Sequence, residues 1–415
     1  MHWADWASFI GGCVALVMPA AVAAAPAKPQ CSGTPPLGGG IPIPADFQVL
    51  QDRYHEQIMG SLGAQGCTKD SIAKRRSWDD LDDDTRKDYI RAVRCLANEP
   101  ALTDKSLAPG AVNRLDDFTY IHINQTNIIH QSGYLLPWHR LFLWQLEEAL
   151  RNECGYKDYL PYWDNARFSA DQTKSRVWDG NPATSFGGNG APRTPPEGGG
   201  GGGGPNNNES TIQLLLIPGL VIDFWLPMPL GTGGGCVTTG PFANLTLTLG
   251  PVAKPARDPA NKYGYLPTPR CLARSFDPSY TGGASLTWGN ATAIVLAGDI
   301  EDFRAGIERL WHRQSHTFIG GDGADPFSPT NDPVFYLLHA QIDRLWAIWQ
   351  GQDLQARTYA IAGNRTFFGI PLDYAPEVPP SLATMDDPME MGLGFRPLTR
   401  EGMATTELGR CYIYV

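Results

Sequence analysis

Six of the eight histidines in this 415-residue chain fall into two groups of three, and this pattern restricts the fold more than any other feature. The groups are His122, His130 and His139, followed by His312, His316 and His339. His312 and His316 stand four residues apart, so on a helix their rings share one face with Cβ atoms about 6 Å apart. The fold must therefore bring distant helices together so that each group can bind one metal ion.

The composition of the two groups narrows the choice of metal. Three imidazoles without a carboxylate or thiolate suit copper or zinc. A zinc site with three histidines is normally single and keeps a bound water. Hydrolytic two-metal sites and di-iron sites normally include carboxylate ligands. Two matched triads therefore favour a pair of copper ions that binds dioxygen between them.

Apolar periodicity predicts five helices, at residues 78–96, 118–123, 138–151, 298–317 and 333–350. Pro137 stands where a proline is tolerated, at the start of the third helix. Leu245, Leu247 and Leu249 alternate with polar or small residues and predict one short strand. The predicted fold class is mainly α, with long irregular loops and few short strands.

Residues 186–208 include seven consecutive glycines, at positions 198–204, and predict a mobile surface loop rich in Gly, Pro and Asn. The two histidine groups stand on either side of this segment. Because each group alone is half of the predicted site, we expect residues 26–415 to form a single catalytic domain.

Residues 1–25 have the features of a secretory signal, with an apolar segment from Phe9 to Ala25 before Pro26. The alternative is an N-terminal helix that stays on the chain. Cys13 would leave with the signal, and the seven scattered cysteines that remain favour disulfides, with at least one thiol unpaired or intermolecular. Five sequons for N-glycans also favour secretion into the extracellular space: Asn124, Asn208, Asn244, Asn290 and Asn364. Asn124 is so close to the first histidine group that we expect it to be unmodified.

The net charge of −10, with no long run of Lys or Arg, argues against nucleic acid or an anionic membrane surface as a partner. Apart from the signal, no apolar stretch reaches the roughly 20 residues needed to span a bilayer. The longest one, 214–230, is broken by prolines and Asp223. We expect a monomer or a weak homodimer.

Several sequence blocks around the histidines resemble the type 3 copper proteins, which are the tyrosinases, catechol oxidases and haemocyanins. The blocks lie at residues 137–140 (PWHR), 160–164 (LPYWD), 320–322 (GGD), 331–336 (NDPVFY) and 339–346 (HAQIDRLW). The resemblance covers most of residues 78–415. Within the family the chain is most similar to short fungal polyphenol oxidases of the catechol oxidase type, which the block at 236–251 also resembles.

The resemblance implies a four-helix bundle core with two copper ions, each held by one of the histidine triads. It also implies a secreted oxidase that converts ortho-diphenols to ortho-quinones and reduces dioxygen to water, so small phenols and dioxygen are the expected partners. Phe335 would shield the metal pair, or be an ordinary core residue. Glu147 and Asp343 would orient the ligand helices, or form salt bridges with an arginine such as Arg140 or Arg344.

At the C-terminus, Tyr412 and Tyr414 resemble the Tyr-x-Tyr motif that ends the catalytic core of the family, and would stack with Arg75 or Arg76. We expect no C-terminal shielding domain after this motif.

Three positions depart from the family pattern. Ile128 replaces the cysteine that forms a thioether to the second ligand in many fungal members, so no such crosslink is expected. Arg313 follows His312 where efficient tyrosinases have an asparagine. Glu301 is a candidate for the glutamate that orients a water for monophenol deprotonation, although it could equally be a solvated carboxylate at a helix start.

Arg313 favours catechol oxidation, and the alternative is a tyrosinase that also hydroxylates monophenols. A haemocyanin-like oxygen carrier is the third hypothesis. It would need a domain or side chain that blocks the metals, and the sequence shows neither.

Overall fold

The computed structural model describes residues 39–63, 67–192, 209–212, 226–229, 231–253, 259–277, 285–372, 375, 377–407 and 410–415. The predicted signal, Cys31 and the glycine run at 198–204 lie outside these residues, as does most of the apolar stretch at 214–230.

The described part of the chain is mainly helical. Its α-helices are α1 (Ala45–Ser61), α2 (Asp83–Leu96), α3 (Arg114–Ile129), α4 (Leu135–Asn152), α5 (Trp288–Val295), α6 (Ile300–Gly306), α7 (Arg313–Ile319), α8 (Val334–Gln350) and α9 (Leu354–Arg357). A π-helical turn at Ile307–His312 joins α6 to α7. Each of the five predicted helical segments is helical in the structure.

Two helices, α2 and α3, begin at other residues than predicted because side chains cap their N-termini. Helix α3 begins four residues before Phe118, because the Asn113 side chain accepts hydrogen bonds from the first-turn amides and Asp116 bonds back to the Asn113 amide. Trp78–Asp80 is a separate 3-10 turn, and Asp82 caps α2 through the Thr85 amide. Helices α1, α5 and the four-residue α9 were not predicted.

Four two-stranded sheets account for the described strands. Strand β1 (Ala73–Arg75) pairs in parallel with β8 (Tyr412–Tyr414). The antiparallel pairs are β2 (Gly190–Pro192) with β5 (Gly234–Val237), β3 (Glu209–Ile212) with β4 (Leu226–Pro229), and β6 (Thr246–Leu247) with β7 (Arg270–Cys271). The strand predicted around Leu247 is therefore present as β6.

The first seven residues of the predicted loop at 186–208 differ from the prediction. Phe186 is fully buried and packs edge-on against Trp78, with ring centroids 4.9 Å apart. Strand β2 follows it and pairs with β5. Burial of an aromatic ring holds this part of the segment against the core, and residues 193–208 lie outside the described part of the chain.

Helix α8 lies at the centre of the fold. All of its residues are buried, and it packs against α1, α4, α5 and the π-helical turn. A helix that is buried all round must satisfy each of its polar side chains internally. His339, Asp343 and Arg344 are such side chains, so α8 brings polar groups into the middle of an apolar core.

Three disulfides confirm the prediction made from the cysteine pattern: Cys67–Cys411, Cys95–Cys154 and Cys236–Cys271. The Cys67–Cys411 disulfide links the residue directly before β8 to the segment before β1. Among the described residues, no helix combines the length and the apolar character needed to cross a lipid bilayer.

Candidate metal centre

Five helical segments place the six histidines of the two triads. His122 lies on α3 and His130 directly follows its last residue, while His139 lies one turn into α4. The π-helical turn ends with His312, and α7 and α8 carry His316 and His339. The π-helical turn is a type of irregularity that often occurs at functional sites.

Each triad is compact enough to hold one ion. Within each group, one ligand atom from every ring lies within 4.8 Å of the others. The triads also touch each other, because the His139 ring stacks on His339 at 4.4 Å and the His130 ring on His312 at 5.6 Å. The six rings therefore form one cluster with two adjacent sites.

The hydrogen bonds of the rings show which nitrogen is available for a metal. Nδ1 of His122, His139 and His316 lies 2.6–2.7 Å from the carbonyl oxygens of Phe327, Leu135 and Gly323, and Nδ1 of His130 lies 2.9 Å from that of Thr126. A carbonyl oxygen can only accept, so each Nδ1 carries the proton and each Nε2 keeps its lone pair. This arrangement is the usual one for histidines that bind metals.

Several Nε2 atoms have no other role in the protein. Those of His122, His139 and His312 are buried and have no hydrogen-bond partner among the described residues. Because burying a nitrogen lone pair without a partner costs free energy, these atoms fit a bound cation. The residues present therefore fit one metal ion in each triad.

The protonation state of the cluster also suits a cation. Burial, together with the neighbouring imidazoles, lowers the pKa of His122, His139, His312 and His339 well below the ordinary value. Burial lowers the pKa of His130 and His316 to about 4. The rings are therefore neutral near pH 7, as metal ligands must be.

One side of the cluster is closed and the other is open. His122, His139 and His339 are buried, whereas His130, His312 and His316 are partly exposed. The buried Phe335 ring stacks on His339 at 4.0 Å and meets His122 edge-on at 5.3 Å, so it covers the closed side. The open side is therefore the one with His130, His312 and His316, where the cluster is closest to solvent.

The profile of the common central domain of tyrosinase matches residues 112–352, more than half of the chain and the whole of the histidine cluster. The chain belongs to the tyrosinase family. The tyrosinase-like protein orsC of Emericella nidulans is 38% identical to it over 349 residues, which cover 81% of this chain and 88% of that protein. Tyrosinase P of Aspergillus terreus is 35% identical over 376 residues, which cover 86% and 96% of the two chains.

A solved structure supports the same family and fold. A mutant polyphenol oxidase from Thermothelomyces thermophila matches with a TM-score of 0.76 at 32% identity, over 90% of this chain and 99% of that one. The resemblance found in the sequence is therefore confirmed. Membership of the tyrosinase family implies a dinuclear copper centre, and the two triads are the places that could hold it.

The loop after α7 holds one ligand of this tyrosinase-family site in place. Gly320 has φ 62°, and a Cβ there would lie 2.2 Å from the Ser275 carbonyl oxygen, so only glycine fits. Asp322 accepts a hydrogen bond from the Ala273 amide and pairs with Arg270 at 2.6 Å. The loop thus presents its Gly323 carbonyl to the His316 ring at a fixed position.

Arg313, which the sequence singled out, is exposed at the start of α7 directly after His312. In the part of the chain that the structure describes, no carboxylate lies within ion-pair distance of its guanidinium. The arginine is therefore available to an anionic group that approaches the open side.

Glu301 was a candidate for a glutamate that orients a water beside the metal site, and the structure does not place it next to the histidines. Its side chain is 57% exposed and pairs with Arg304 at 2.8 Å. No described contact joins it to a histidine of the site. The structure therefore favours the alternative interpretation, a solvated carboxylate in the first turn of α6.

The buried carboxylate nearby is Glu308, which lies in the π-helical turn after α6 and which the sequence analysis missed. One carboxylate oxygen of Glu308 accepts a hydrogen bond from the backbone amide of Gln131, the residue after His130. The other oxygen forms a salt bridge with the Arg304 guanidinium at 2.8 Å. Burial raises the pKa of Glu308 to about 7, although both contacts favour the charged form. Its position four residues before His312, on the same helical face, was the signal that could have identified it.

Asp343 and Glu147 form salt bridges and have no described contact with the histidines. Asp343 pairs with Arg140 at 2.6 Å and with Arg75 at 3.5 Å, and Glu147 pairs with Arg75 at 3.0 Å. The Tyr412 and Tyr414 hydroxyls donate to Asp343 at 2.8 and 2.7 Å. Arg75 lies 3.6 Å above the Tyr412 ring, so Arg75 rather than Arg76 is the stacking partner.

This network connects the C-terminal strand to two ligand helices. Arg140 directly follows His139, and Asp343 lies one turn after His339. The Arg140–Asp343 pair therefore connects α4 and α8 next to the site. Strand β8 is attached to this pair through the Tyr412 and Tyr414 hydroxyls.

Proposed function

We propose that this tyrosinase-family copper oxidase converts ortho-diphenols to ortho-quinones at the two triads, each holding one copper ion. The observation that carries the proposal is the pair of adjacent triads, in which buried Nε2 lone pairs have no partner. When bound, the copper pair would supply the chemistry that moves electrons from the phenol to dioxygen. The overall reaction oxidises two diphenols to two quinones and reduces one dioxygen to two waters.

The residues of the chain supply binding and orientation. His130, His312 and His316 border the open side, so the phenol ring enters next to them. Phe335 excludes water behind the cluster. The carbonyl oxygens of Phe327, Leu135 and Gly323 fix the ring orientations, which keeps the lone pairs directed at the metal sites.

The proposal is tested by oxygen uptake of copper-loaded protein with catechol and with phenol in parallel. Uptake with catechol alone supports a catechol oxidase. Comparable uptake with both substrates makes the protein a tyrosinase, and uptake with neither contradicts the proposal. Incorporation of labelled oxygen into the product separates hydroxylation from oxidation of a contaminating diphenol.

Arg313 is the residue that favours diphenols over monophenols in this proposal. The Arg313→Asn variant is expected to raise the ratio of monophenol to diphenol turnover by about tenfold, because an amide at this place can help a neighbouring carboxylate hold a water as a base. The ratio of initial rates on phenol and catechol measures the effect.

Arg94→Asn is the control, since Arg94 is also exposed but lies on α2, which carries no histidine of the two triads. An unchanged ratio in Arg313→Asn would show that Arg313 has no part in this choice.

The second candidate function is a tyrosinase, and Glu308 is the observation that favours it. A buried carboxylate with a pKa of about 7 is partly charged at neutral pH and can act as a base toward a held water. The charged form predominates above pH 7, so any monophenol activity should rise as the pH passes through about 7.

Glu308→Gln tests this role. It is expected to lower monophenol turnover by about a hundredfold, the range of general base catalysis, and to change catechol turnover much less. Glu301→Gln is the control, because its exposed side chain pairs only with Arg304 among the described contacts. Equal losses on both substrates would instead mean that Glu308 acts by holding the Gln131 loop.

We also propose that the chain is a secreted, glycosylated single-domain protein, a monomer or weak homodimer. The signal-like N-terminus and the disulfides support secretion. N-terminal sequencing and the mass shift on deglycosylation of protein from the culture medium test it. An intact Met1 in protein found only inside cells would contradict it.

A further inference from the structure

A cleft of about 220 Å³ lies between α3, α4 and the turn at residues 391–393. All six histidines of the triads are among the described residues, and none of them lines this cleft. Its walls are largely apolar and aromatic, with a few polar side chains from α4. This combination is typical of a site that binds a small molecule.

The charges that line the cleft are unbalanced. Arg114 is the one basic residue among its described lining residues, and it is paired with Asp117 at 2.6 Å and with Glu153 at 2.7 Å. Glu148 is a third carboxylate, and no Lys or Arg of the described chain lies within ion-pair distance of it. One Glu148 oxygen accepts from the Asn152 amide at 3.0 Å. Three carboxylates therefore face one guanidinium, and Glu148 carries the charge that is not compensated.

The end of α4 adds to this negative potential. The helix ends at Asn152, and both Ala149 and Asn152 line the cleft. The C-terminal end of a helix carries a partial negative charge, which favours a cation nearby. Arg151 is the basic residue of this last turn, but it does not line the cleft and stacks over the Tyr159 ring at 4.6 Å.

The apolar walls can contact the body of a ligand. Trp144 and Tyr120 are half-buried aromatic residues of the lining. A cation over an indole ring is attracted by the negative face of the ring. Leu393 lines the same cleft, is 56% exposed and has φ 52°. A left-handed backbone is unfavourable for a leucine, and such strain is often found where a ligand binds.

We propose that this cleft binds a small organic ammonium ion, with its charge next to Glu148 and its apolar groups against Trp144 and Leu393. A metal cation is a poorer fit, because Asp117 and Glu153 are already bonded to Arg114 and one carboxylate is too few for a hard cation. A neutral ligand would leave the excess charge uncompensated. This site is independent of the oxidation proposed at the triads.

The test compares choline with 3,3-dimethyl-1-butanol, which has the same shape and hydroxyl group but no charge. Titration calorimetry at low salt on the copper-loaded full chain gives both dissociation constants. We expect choline to bind about tenfold more tightly than the neutral alcohol, because a carboxylate and an indole ring both attract the cation.

Two substitutions separate these contributions. Glu148→Gln keeps the shape of the side chain and removes the charge, so the preference for choline should fall about 3- to 5-fold. Trp144→Leu should lower it about 2- to 5-fold, whereas Trp144→Phe retains an aromatic face and most of the preference. Far-UV circular dichroism confirms that each variant is folded.

Glu56→Gln is the matched control, because Glu56 is exposed on α1 and does not line the cleft. It should leave the preference unchanged. An equal loss in Glu56→Gln and Glu148→Gln would show attraction to the acidic surface in general and overturn the inference. Equal affinity for the two ligands, no binding of choline, or an unchanged preference in both Glu148→Gln and Trp144→Leu would also overturn it.

Discussion

His339→Ala is expected to lower the copper content from two ions per chain to about one and to reduce diphenol oxidation by roughly 10³-fold or more. His339 supplies one of three imidazoles of the second triad, and its ring also contacts His139 of the first. A metal contributes several kcal/mol to a transition state, and each 1.36 kcal/mol is a factor of ten in rate. Metal analysis after gel filtration and oxygen uptake measure the two effects.

His55→Ala is the control for this experiment. His55 lies outside both triads and its Nε2 donates to the Tyr414 carbonyl oxygen at 2.7 Å. Loss of that bond should cost about 1 kcal/mol of unfolding free energy and leave both metals bound. Two copper ions in His339→Ala would remove His339 from the ligand set.

Asp343→Asn should have the largest effect on stability, about 3–5 kcal/mol of unfolding free energy, which is typical when one partner of a buried ion pair is removed. Arg140 and Asp343 are both buried, and Asp343 is the carboxylate paired with Arg140 among the described residues. Asparagine fills the same space but leaves the Arg140 charge uncompensated. Denaturant midpoints of copper-loaded proteins measure the loss.

The effect should also depend on pH in a defined direction. Although burial raises it, Arg140 and Arg75 hold the pKa of Asp343 below its ordinary value. The stabilisation by the carboxylate is therefore complete above the unfolded pKa of about 3.9 and is lost as the pH falls below it. The difference between wild type and Asp343→Asn should shrink under acid conditions.

Asp386→Asn is the matched surface control. Asp386 pairs with Arg400, but their side chains are 73% and 48% exposed. Exposed pairs contribute about 0–1 kcal/mol, so this variant should be nearly neutral. A loss of under 1 kcal/mol in Asp343→Asn would mean that the network around it is solvated or can rearrange.

The fold class, the helices that carry the site and the two triads could be predicted from local patterns in the sequence. Spacing on a helix is a local property, so His312 and His316 could be placed on one face without any tertiary information. The blocks around His139 and His339 identified the family, and the profile of its central domain confirmed it. The cysteine pattern indicated disulfides.

Helix α1 has a local signal of a helix in its own sequence. Its buried residues Phe47, Leu50, Tyr54 and Ile58 recur every three or four positions, as on an amphipathic helix. Helices α5 and α9 have only eight and four residues, which is too short for periodicity to be decisive. These two differences therefore have separate causes.

Contacts between groups that are distant in the sequence depend on how the elements pack. Glu301 and Glu308 are both acidic residues on one helical segment, and packing alone exposes the first and buries the second beside Gln131. The partners of Asp343 and the pairing of the cysteines depend on the arrangement of whole elements, because burial and ion pairing are non-local. For the same reason, no sequence pattern identified the cleft that Trp144 and Glu148 line.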